Sequence, residues 1–438
     1  MTDHGVCILG GGVTGVAAGR ASGLPVYEAA ERPGGICSSY YLHPHSEIPM
    51  HERPPDGDAY RFEVGGGHWI FGGEPPVLDL IGRLSPVERH VRQSSVFLSH
   101  QGRYLPYPIQ NHLAALDHRL AARALAEILR PAVAPPVTMS DWLRANFGPT
   151  LCELFFDPFH ELYTAGYWKE IAPQDPFKSP INRENVVQGF IESSPAVGYN
   201  VSYLYPRDGL DALIKELAAP CDVRCGQAVT AIDPANRRIH LGTGSRITYS
   251  RVICTLPLNQ TMSLADLHLS SAPDPHTSVL VLNVGGTRGE SCPEDHWVYV
   301  PDSQSGFHRV GFYDNVSLAF LPRGSGLPRR VAMYVERAYP GGQRPSAPEI
   351  ERYGRQVVAE LQSWGFLAAP EVVHPTWIEV AYTWRRPGSK WREEALAALE
   401  ENGILMVGRY ARWQFQGIAE SVRDGLCAGA AFRPFGNP

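Results

Sequence analysis

The chain has 438 residues, more than the roughly 250–300 that a single hydrophobic core usually serves, so we expect two or three domains. Its formal net charge of −6 comes from mixed acidic and basic residues, without the charge blocks that indicate nucleic acid or an anionic membrane. The eight cysteines are scattered, with only Cys221 and Cys225 close together, which is typical of reduced thiols in a cytoplasmic protein. No stretch approaches the roughly 18 apolar residues of a membrane span.

The first thirty residues predict one βαβ unit. Residues 5–9 read as a buried strand, 10–15 as a tight turn, 16–22 as a short helix and 25–28 as a second strand. Residues 111–156 then carry apolar side chains three and four apart, which favours a helical segment inserted into the fold.

The pattern returns to alternating helix and strand after residue 205. Leu210, Leu213, Ile214 and Leu217 share one helical face, and the runs 228–232 and 238–241 are predicted strands. Short β-rich runs at 279–284, 297–300, 309–313 and 330–336 indicate an antiparallel sheet. A buried strand at 403–407 and a small-residue helix at 419–431 complete the prediction.

The turn after the first strand is the clearest chemical motif. Gly10 permits the turn, Gly12 lets the backbone approach a pyrophosphate, and Gly15 allows close packing of helix on strand. Glu28, at the end of the next strand, suits ribose hydroxyls. An ordinary glycine-rich turn is the alternative, but the strand and helix around the motif favour a dinucleotide site.

A second glycine pair, Gly34 and Gly35, follows the second strand. It favours FAD over NAD, because the longer flavin half needs more backbone clearance. Ser38 is then expected beside the flavin phosphates. The sequence therefore predicts an FAD-binding protein.

Two further segments, 65–71 (GGGHWIF) and 105–111 (LPYPIQN), resemble the flavin-face loop and the nucleotide-contacting segment of UDP-galactopyranose mutases, more closely the eukaryotic-type members. The resemblance continues in the same order through 199–200, 205–206, 255–258, 297–299, 308–310 and 408–410. These enzymes belong to the wider FAD superfamily of protoporphyrinogen and amine oxidases.

The resemblance implies an α/β fold in three parts. A discontinuous Rossmann-like FAD-binding domain would comprise 1–105, 200–265 and 395–438. A helical insertion domain would comprise 106–199, and an antiparallel β-sheet substrate domain 266–394.

The implied activity is a pyranose/furanose mutase, an isomerase that acts on a nucleotide-diphosphate sugar. Reduced FAD acts as a nucleophile in this chemistry, N5 attacking the anomeric carbon without net oxidation. NAD(P)H or another reductant is an expected partner, and no metal site is needed.

The resemblance also assigns roles to single residues. His68 would lie against flavin N5, Arg309 would clamp the diphosphate through its planar guanidinium, and Arg183 is the candidate second arginine. A solvated loop charge is the equal alternative for Arg183. The remaining cofactor-side positions are Gly66, Gly67, Val229, Arg409 and Ile418, and the substrate-side positions are Tyr107, Gln110, His160, Asn200, Trp297, Tyr299, Tyr382 and Phe415.

The departures from this family concentrate on the substrate side. Two tyrosines that contact the diphosphate in the family are absent, from the runs 314–316 (DNV) and 413–415 (WQF). The run 159–164 (FHELYT) replaces an asparagine and a tryptophan associated with the uridine half, and Asp208 alters a glycine pair. These changes indicate a different nucleotide-sugar.

Two alternatives stay open at this point. One keeps the fold but changes the chemistry to an FAD-dependent oxidase or desaturase of the protoporphyrinogen or amine oxidase type, which leaves the run 107–111 unexplained. The other is a flavin-retaining binding protein without catalysis, in which the missing tyrosines mark a lost activity.

Overall fold

The computed structural model describes residues 2–3, 5–130, 134–173, 181–192, 201–324 and 329–433. Its strands are β1 (Thr2–Asp3), β2 (Val6–Leu9), β3 (Val26–Tyr27), β4 (Ser39–Leu42), β5 (Tyr60–Glu63), β6 (Ile70–Phe71), β7 (Val87–Val91), β8 (Ser94–Leu98), β9 (Arg103–Pro106), β10 (Ser202–Pro206), β11 (Val223–Arg224), β12 (Val229–Asp233), β13 (Arg238–Leu241), β14 (Arg246–Thr248), β15 (Arg251–Cys254), β16 (His276–Arg288), β17 (Trp297–Tyr299), β18 (Arg309–Phe312), β19 (Arg330–Pro340), β20 (Leu367–Thr383) and β21 (Ile404–Met406).

Its α-helices are α1 (Val13–Ser22), α2 (Pro75–Leu84), α3 (His118–Ile128), α4 (Met139–Leu151), α5 (Asp157–Tyr163), α6 (Arg183–Ile191), α7 (Leu210–Ala218), α8 (Leu258–Leu264), α9 (Ala347–Ser363), α10 (Trp391–Glu401) and α11 (Ile418–Ala431). A π-helical turn, Cys152–Phe156, joins α4 to α5. Short 3-10 turns lie at Ser99–Gln101, Ile109–Asn111, Leu113–Ala115, Tyr167–Lys169 and Leu318–Phe320.

A parallel five-stranded sheet in the order β11-β3-β2-β15-β21 forms the first layer. The predicted βαβ unit is present in it as β2, α1 and β3, with α1 beginning at Val13 inside the predicted turn. Helix α11 packs on α1, where Gly425 and Gly429 come so close that a Cβ would lie 2.2 and 2.3 Å from carbonyl oxygens of α1. Close helix packing of this kind fixes the position of both helix N-termini.

A seven-stranded sheet in the order β20-β16-β19-β18-β17-β8-β9 forms the second layer. Its pairs are antiparallel, apart from β17 with β8. The predicted strands of residues 279–336 all fall in this sheet, as parts of β16 to β19. Strands β8 and β9 also belong to it, although the sequence-based boundary placed 1–105 in the FAD-binding part. Strand β8 pairs with β17, which is about 200 residues away, so this pairing has no local signal, and β9 joins the sheet by pairing with β8.

The remaining elements connect these two layers. A four-stranded sheet has the order β1-β14-β13-β12, β10 pairs between β6 and β7, and β4 pairs with β5. Helices α3 and α4 lie in the segment 111–156 that was predicted to be helical, and α5 and α6 follow it. The core of this region includes Leu143, Phe147, Leu151 and Val186. The mixed α/β fold class is the one predicted.

Two general observations complete the description. All eight cysteines are free thiols. Within the described ranges, no helix is long and apolar enough to cross a membrane, and no cluster of His, Cys, Asp and Glu side chains has the makings of a metal site.

Candidate active site

A cavity of about 410 Å³ lies at the carboxyl ends of three adjacent parallel strands. The residues that follow β2, β15 and β21, namely Gly12, Thr255 and Gly408, are all part of its wall. Ligands of open parallel sheets bind at this edge, because the loops diverge there and the helix N-termini point to it. Side chains of the antiparallel sheet and of the α4–α5 segment close the other sides.

The glycine turn after β2 is built as its sequence predicts. Gly10 has φ of +93°, and a Cβ there would lie 2.4 Å from Thr255 Oγ1. A Cβ on Gly15 would lie 1.8 Å from the Gly10 carbonyl oxygen, so α1 can approach β2 only with glycine here. A Cβ on Gly12, by contrast, would meet no protein atom within 4 Å, although Gly12 lines the cavity. This open cradle fits a dinucleotide pyrophosphate.

The second glycine pair lies directly against the first. The Gly34 N–H donates to the Gly11 carbonyl at 2.8 Å, and a Cβ on Gly35 would meet only Gly12 Cα, at 3.6 Å. The N-termini of α1 and α11 also reach the cavity, through Val13 and Ile418. Two helix N-termini and two bare backbone turns at one place form an anion-binding surface.

Glu28 lies beside the glycine turn, one residue after β3. Its carboxylate accepts hydrogen bonds from the Gly11 N–H at 2.5 Å and from the Ala30 N–H at 2.8 Å. Both bonds hold the side chain at the turn, where the ribose of a dinucleotide is expected.

His68 lines the cavity from the loop between β5 and β6. Its backbone N–H donates to the Gly66 carbonyl at 2.8 Å, and Gly66 has φ of +74°. Burial, followed by the positive charge of Arg409, lowers the pKa of the imidazole to about 4. The ring is therefore neutral at pH 7, and has one nitrogen that donates and one that accepts.

Arg309, at the start of β18, is paired with Glu336 of β19. Its Nε donates to Glu336 Oε2 at 3.0 Å, and its Nη2 lies 2.6 Å from both carboxylate oxygens. His308 Nε2 lies 3.5 Å from the same carboxylate, which is only 3% exposed. Burial would raise the pKa of Glu336, but Arg309 and His308 together lower it to about 2. The pair is therefore charged at neutral pH.

Two further arginines reach the cavity. Arg409 follows β21 and donates to the carbonyls of Gln416 and Ala381 at 3.0 and 3.1 Å, and its guanidinium carbon lies 4.8 Å from the Phe415 ring centroid. Arg92 donates to the Tyr107 carbonyl at 3.1 Å. Among the described residues that line the cavity, three are arginines and none is an aspartate, glutamate or lysine. The wall therefore favours an anionic ligand.

The end of the cavity away from the glycine turns is aromatic. Tyr107 and Tyr299 are in contact, with ring centroids 4.6 Å apart, and the Phe159 ring meets Tyr299 edge to face at 5.3 Å. The side chains of Met139, Trp142, Phe155 and Phe156 extend this surface. Flat rings around a narrow space are suited to stacking on a planar group and to keeping water out.

The structure brings together most of the residues that the sequence proposed. The cavity wall contains Gly12, Gly35, Gly67, His68, Tyr107, His160, Trp297, Tyr299, Arg309, Tyr382, Arg409, Phe415 and Ile418. Gly10, Gly15, Glu28, Ser38, Gly66, Gln110 and Val229 are not part of the wall. Gly10, Gly15 and Glu28 support the turn from behind, Ser38 Oγ lies close to Gly34, and Gln110 is buried.

Arg183 does not reach the cavity. It is exposed at the first turn of α6, so the structure does not support a role for it as the second diphosphate arginine. Helix α6 begins at this position, and the Arg183 side chain there is exposed to solvent. Asn200 lies outside the described residues.

The departures from the family pattern have a clear placement. Asp314 is buried and accepts from Arg288 Nη1 at 2.9 Å, and Val316 lies in the core. Trp413 is also buried, and its Nε1 donates to the Trp384 carbonyl at 3.1 Å. Within the runs 314–316 and 413–415, only Phe415 lines the cavity, and its side chain has no hydroxyl. Phe159, His160 and Tyr163 of the run 159–164 also line it.

Several cavity residues were not proposed from the sequence. Arg92 reaches the site because its N–H pairs with the Val201 carbonyl, a contact across more than 100 residues that leaves no local pattern. Phe155, Phe156, Phe159 and Tyr163 line the cavity together with His160, at positions that share one helical face. Helical periodicity could have found that group, but its polar and apolar members look like an ordinary core stripe.

The architecture defines a dinucleotide-dependent enzyme of the FAD oxidoreductase superfamily. A family model described as flavin containing amine oxidoreductase matches residues 24–279, more than half of the chain. The chain therefore belongs to the flavin-containing amine oxidoreductase family, and FAD is its cofactor.

Solved structures of similar fold come from enzymes of different chemistry. Reduced UDP-galactopyranose mutase matches with a TM-score of 0.80 and 19% identity, over 97% of this chain and 94% of that chain. A CLA-producing fatty acid isomerase from P. acnes has a TM-score of 0.60 and 13% identity, over 98% of each chain. Putrescine oxidase bound to putrescine has a TM-score of 0.56 and 15% identity, over 98% and 99%. At these identities the likeness establishes the fold alone.

Proposed function

We propose that this chain is a pyranose/furanose mutase that depends on reduced FAD and acts on a nucleotide-diphosphate sugar. The proposed activity is that of the UDP-galactopyranose mutases, and the sequence resembles their eukaryotic-type members more closely. The observation that carries it is the charge of the cavity wall. Three arginines and no carboxylate line the described part of the cavity. A diphosphate has the opposite charge and needs several donors.

The same observation argues against an oxidase of cationic amines. A substrate such as putrescine is positively charged, and a site for it is expected to offer a carboxylate or an open aromatic cage. Here Glu336 is only 2% exposed, is not part of the wall and is already paired with Arg309. The aromatic end of the cavity is backed by Arg92 instead of by an acidic group.

The residues of the flavin side would hold the cofactor. The glycine turn with Gly12, the paired turn with Gly35 and the N-terminus of α1 receive the pyrophosphate, and Glu28 receives the adenosine ribose. Reduced FAD, when bound, supplies a nucleophilic N5 for the anomeric carbon of the sugar.

The residues of the substrate side would bind and orient. Arg309 meets the diphosphate, Tyr107 stacks on the base, and Tyr299 and Tyr382 line the space between them. His68 is neutral at pH 7 and, with its pKa of about 4, is too weak a base to take a proton from a sugar hydroxyl. Its role is to donate and accept hydrogen bonds that orient the sugar ring. The aromatic wall excludes water from the anomeric carbon.

The test is a screen of the dithionite-reduced enzyme under anaerobic conditions. The panel combines UDP, GDP, dTDP and CDP with hexoses, 6-deoxyhexoses and pentoses, and product of unchanged mass is separated by chromatography. We expect an isomer from at least one member, with Arg309→Ala inactive on that member. A separate aerobic assay offers amines to the oxidised enzyme. Oxygen consumption with an amine, together with no isomer from any member of the anaerobic panel, would overturn the proposal.

A further inference from the structure

The helical segment that faces the cavity contains a π-helical turn, Cys152–Phe156, directly before α5. A π turn inserts one residue into a helix and rotates the side chains that follow, and such turns are frequent at functional sites. After it, Phe159, His160 and Tyr163 all face the cavity. Tyr163 is the last residue of α5, and it carries the only hydroxyl of these three side chains.

The ring of Tyr163 is held in position by its neighbours. It meets Tyr382 edge to face at 4.8 Å, His308 at 5.3 Å and Trp384 at 5.5 Å between ring centroids. Because three rings fix the plane, the position of the hydroxyl is set by packing and needs little ordering when a ligand binds.

The hydroxyl of Tyr163 also lies within the field of two cavity arginines. Burial raises the pKa of this phenol well above its usual value, while Arg409 and Arg309 act to lower it. The group stays protonated at neutral pH, and therefore keeps an O–H that can donate. Tyr163 lines the same cavity as Arg309 and Arg409.

Arg309 alone offers few hydrogen-bond donors to a phosphate, so a second donor beside it is needed. Its Nε and Nη2 atoms are engaged with Glu336, so a phosphate in the cavity can meet only the edge that carries Nη1. A guanidinium with both edges available can bind two phosphate oxygens in a bidentate way, whereas a single edge donates fewer hydrogen bonds. The tyrosines that the resemblance places at the diphosphate are missing from the runs 314–316 (DNV) and 413–415 (WQF), and no side chain in either run has a hydroxyl.

We propose that the Tyr163 hydroxyl donates a hydrogen bond to the substrate diphosphate, beside Arg309, and takes the place of the absent tyrosine hydroxyls. The inference depends on the proposed function, because it assigns one more contact to the same ligand. It makes Tyr163 a substrate-binding residue supplied by a helix, where the absent tyrosines would have come from the segments after β18 and β21.

The test compares Tyr163→Phe with Tyr353→Phe by calorimetric titration of the FAD-loaded protein. Tyr353 is a matched control, because it is a buried tyrosine on α9 and is not part of the cavity. The probe is whichever of UDP, GDP, CDP, ADP and dTDP binds the wild type most tightly, together with the matching nucleoside. A hydrogen bond to a charged phosphate is worth roughly a tenfold change in affinity.

We expect Tyr163→Phe to bind the nucleoside diphosphate about tenfold more weakly and the nucleoside unchanged, with Tyr353→Phe like the wild type. FAD absorbance and the melting temperature identify a variant that has lost its fold. In that case Tyr163→Gln, which restores a donor, must bind the diphosphate more tightly than Tyr163→Leu. Equal diphosphate binding by the wild type and Tyr163→Phe overturns the assignment of Tyr163 alone. A wild type that binds none of the five diphosphates overturns the proposed function as well.

Discussion

The two sides of the cavity are built from different kinds of atoms. The flavin side is made of backbone, in the turns around Gly12 and Gly35 and the helix N-termini at Val13 and Ile418. The substrate side is made of arginine and aromatic side chains from the antiparallel sheet and the α4–α5 segment. Backbone geometry tolerates few changes, whereas side chains can be exchanged one at a time. The fold therefore determines which cofactor binds, whereas single side-chain substitutions can change which substrate binds.

The largest effect is expected from Gly15→Ala on the flavin side. A Cβ at this position would lie 1.8 Å from the Gly10 carbonyl oxygen, so α1 must move away from β2. We expect loss of bound FAD, measured by the flavin absorbance of the purified protein. Gly82→Ala is the control, because α2 has open space there and alanine should stabilise it by up to about 1 kcal/mol. Full flavin content in Gly15→Ala would contradict the packing argument.

The second-largest effect is expected from changes at Arg309 on the substrate side, which separate the role of its charge in activity from its role in stability. Arg309→Ala leaves Glu336 buried without its arginine and with only His308 beside it, so we expect a loss of about 3–5 kcal/mol in unfolding free energy, measured in urea. Mutase activity should fall by at least about 100-fold, with FAD retained. The double variant Arg309→Met with Glu336→Gln should regain most of the stability and none of the activity. Activity in the double variant would remove Arg309 from the substrate site.

A smaller effect on the flavin side is expected from Glu28→Gln. The amide retains one acceptor oxygen for the two N–H groups of Gly11 and Ala30, so one of these bonds is lost. We expect the dissociation constant for FAD to rise about tenfold, measured by titrating the apoprotein. Glu31→Gln removes the same charge from an exposed side chain and should bind FAD like the wild type.

The smallest effect concerns pH. The pKa of His68 falls from its ordinary value of 6.5 to about 4 in the fold, so the unfolded chain binds this proton first. The stability contributed by the neutral ring is complete above pH 6.5 and is lost as the pH falls toward 4. Between pH 7 and pH 5.5, His68→Asn should lose about 1 kcal/mol less stability than the wild type. Identical losses would mean that the ring titrates normally.

Local patterns in the sequence predict the flavin side well. The βαβ unit, the two glycine pairs and Glu28 lie within the first 35 residues, so their geometry follows from neighbouring residues alone. Strand β20 was not predicted, because Pro370 and Pro375 interrupt it. The structure places β20 at the edge of the sheet, where a missing N–H costs no pairing on the solvent side.

The substrate side was predicted less completely for a physical reason. Arg92 reaches the site through a backbone hydrogen bond to Val201, which is distant in sequence. Glu336 lies outside the cavity wall, and its hydrogen bonds to Arg309 determine how much of that guanidinium is left for a ligand. Tyr163 belongs to a helical stripe that looks like an ordinary core stripe in the sequence, so its place in the cavity wall was not predicted. The sequence indicates which residue types such a site contains, but only the folded structure shows which of these residues are in contact.

The central claim is that the cavity binds a nucleotide-diphosphate sugar and that the reaction causes no net transfer of electrons from the flavin. It is tested most directly by counting turnovers against flavin oxidation, with the dithionite-reduced enzyme in an anaerobic cuvette and excess reductant removed. We predict many molecules of isomer per molecule of enzyme while the flavin absorbance stays that of the reduced form. Product formation that stops after one equivalent, with the flavin oxidised, would contradict the claim.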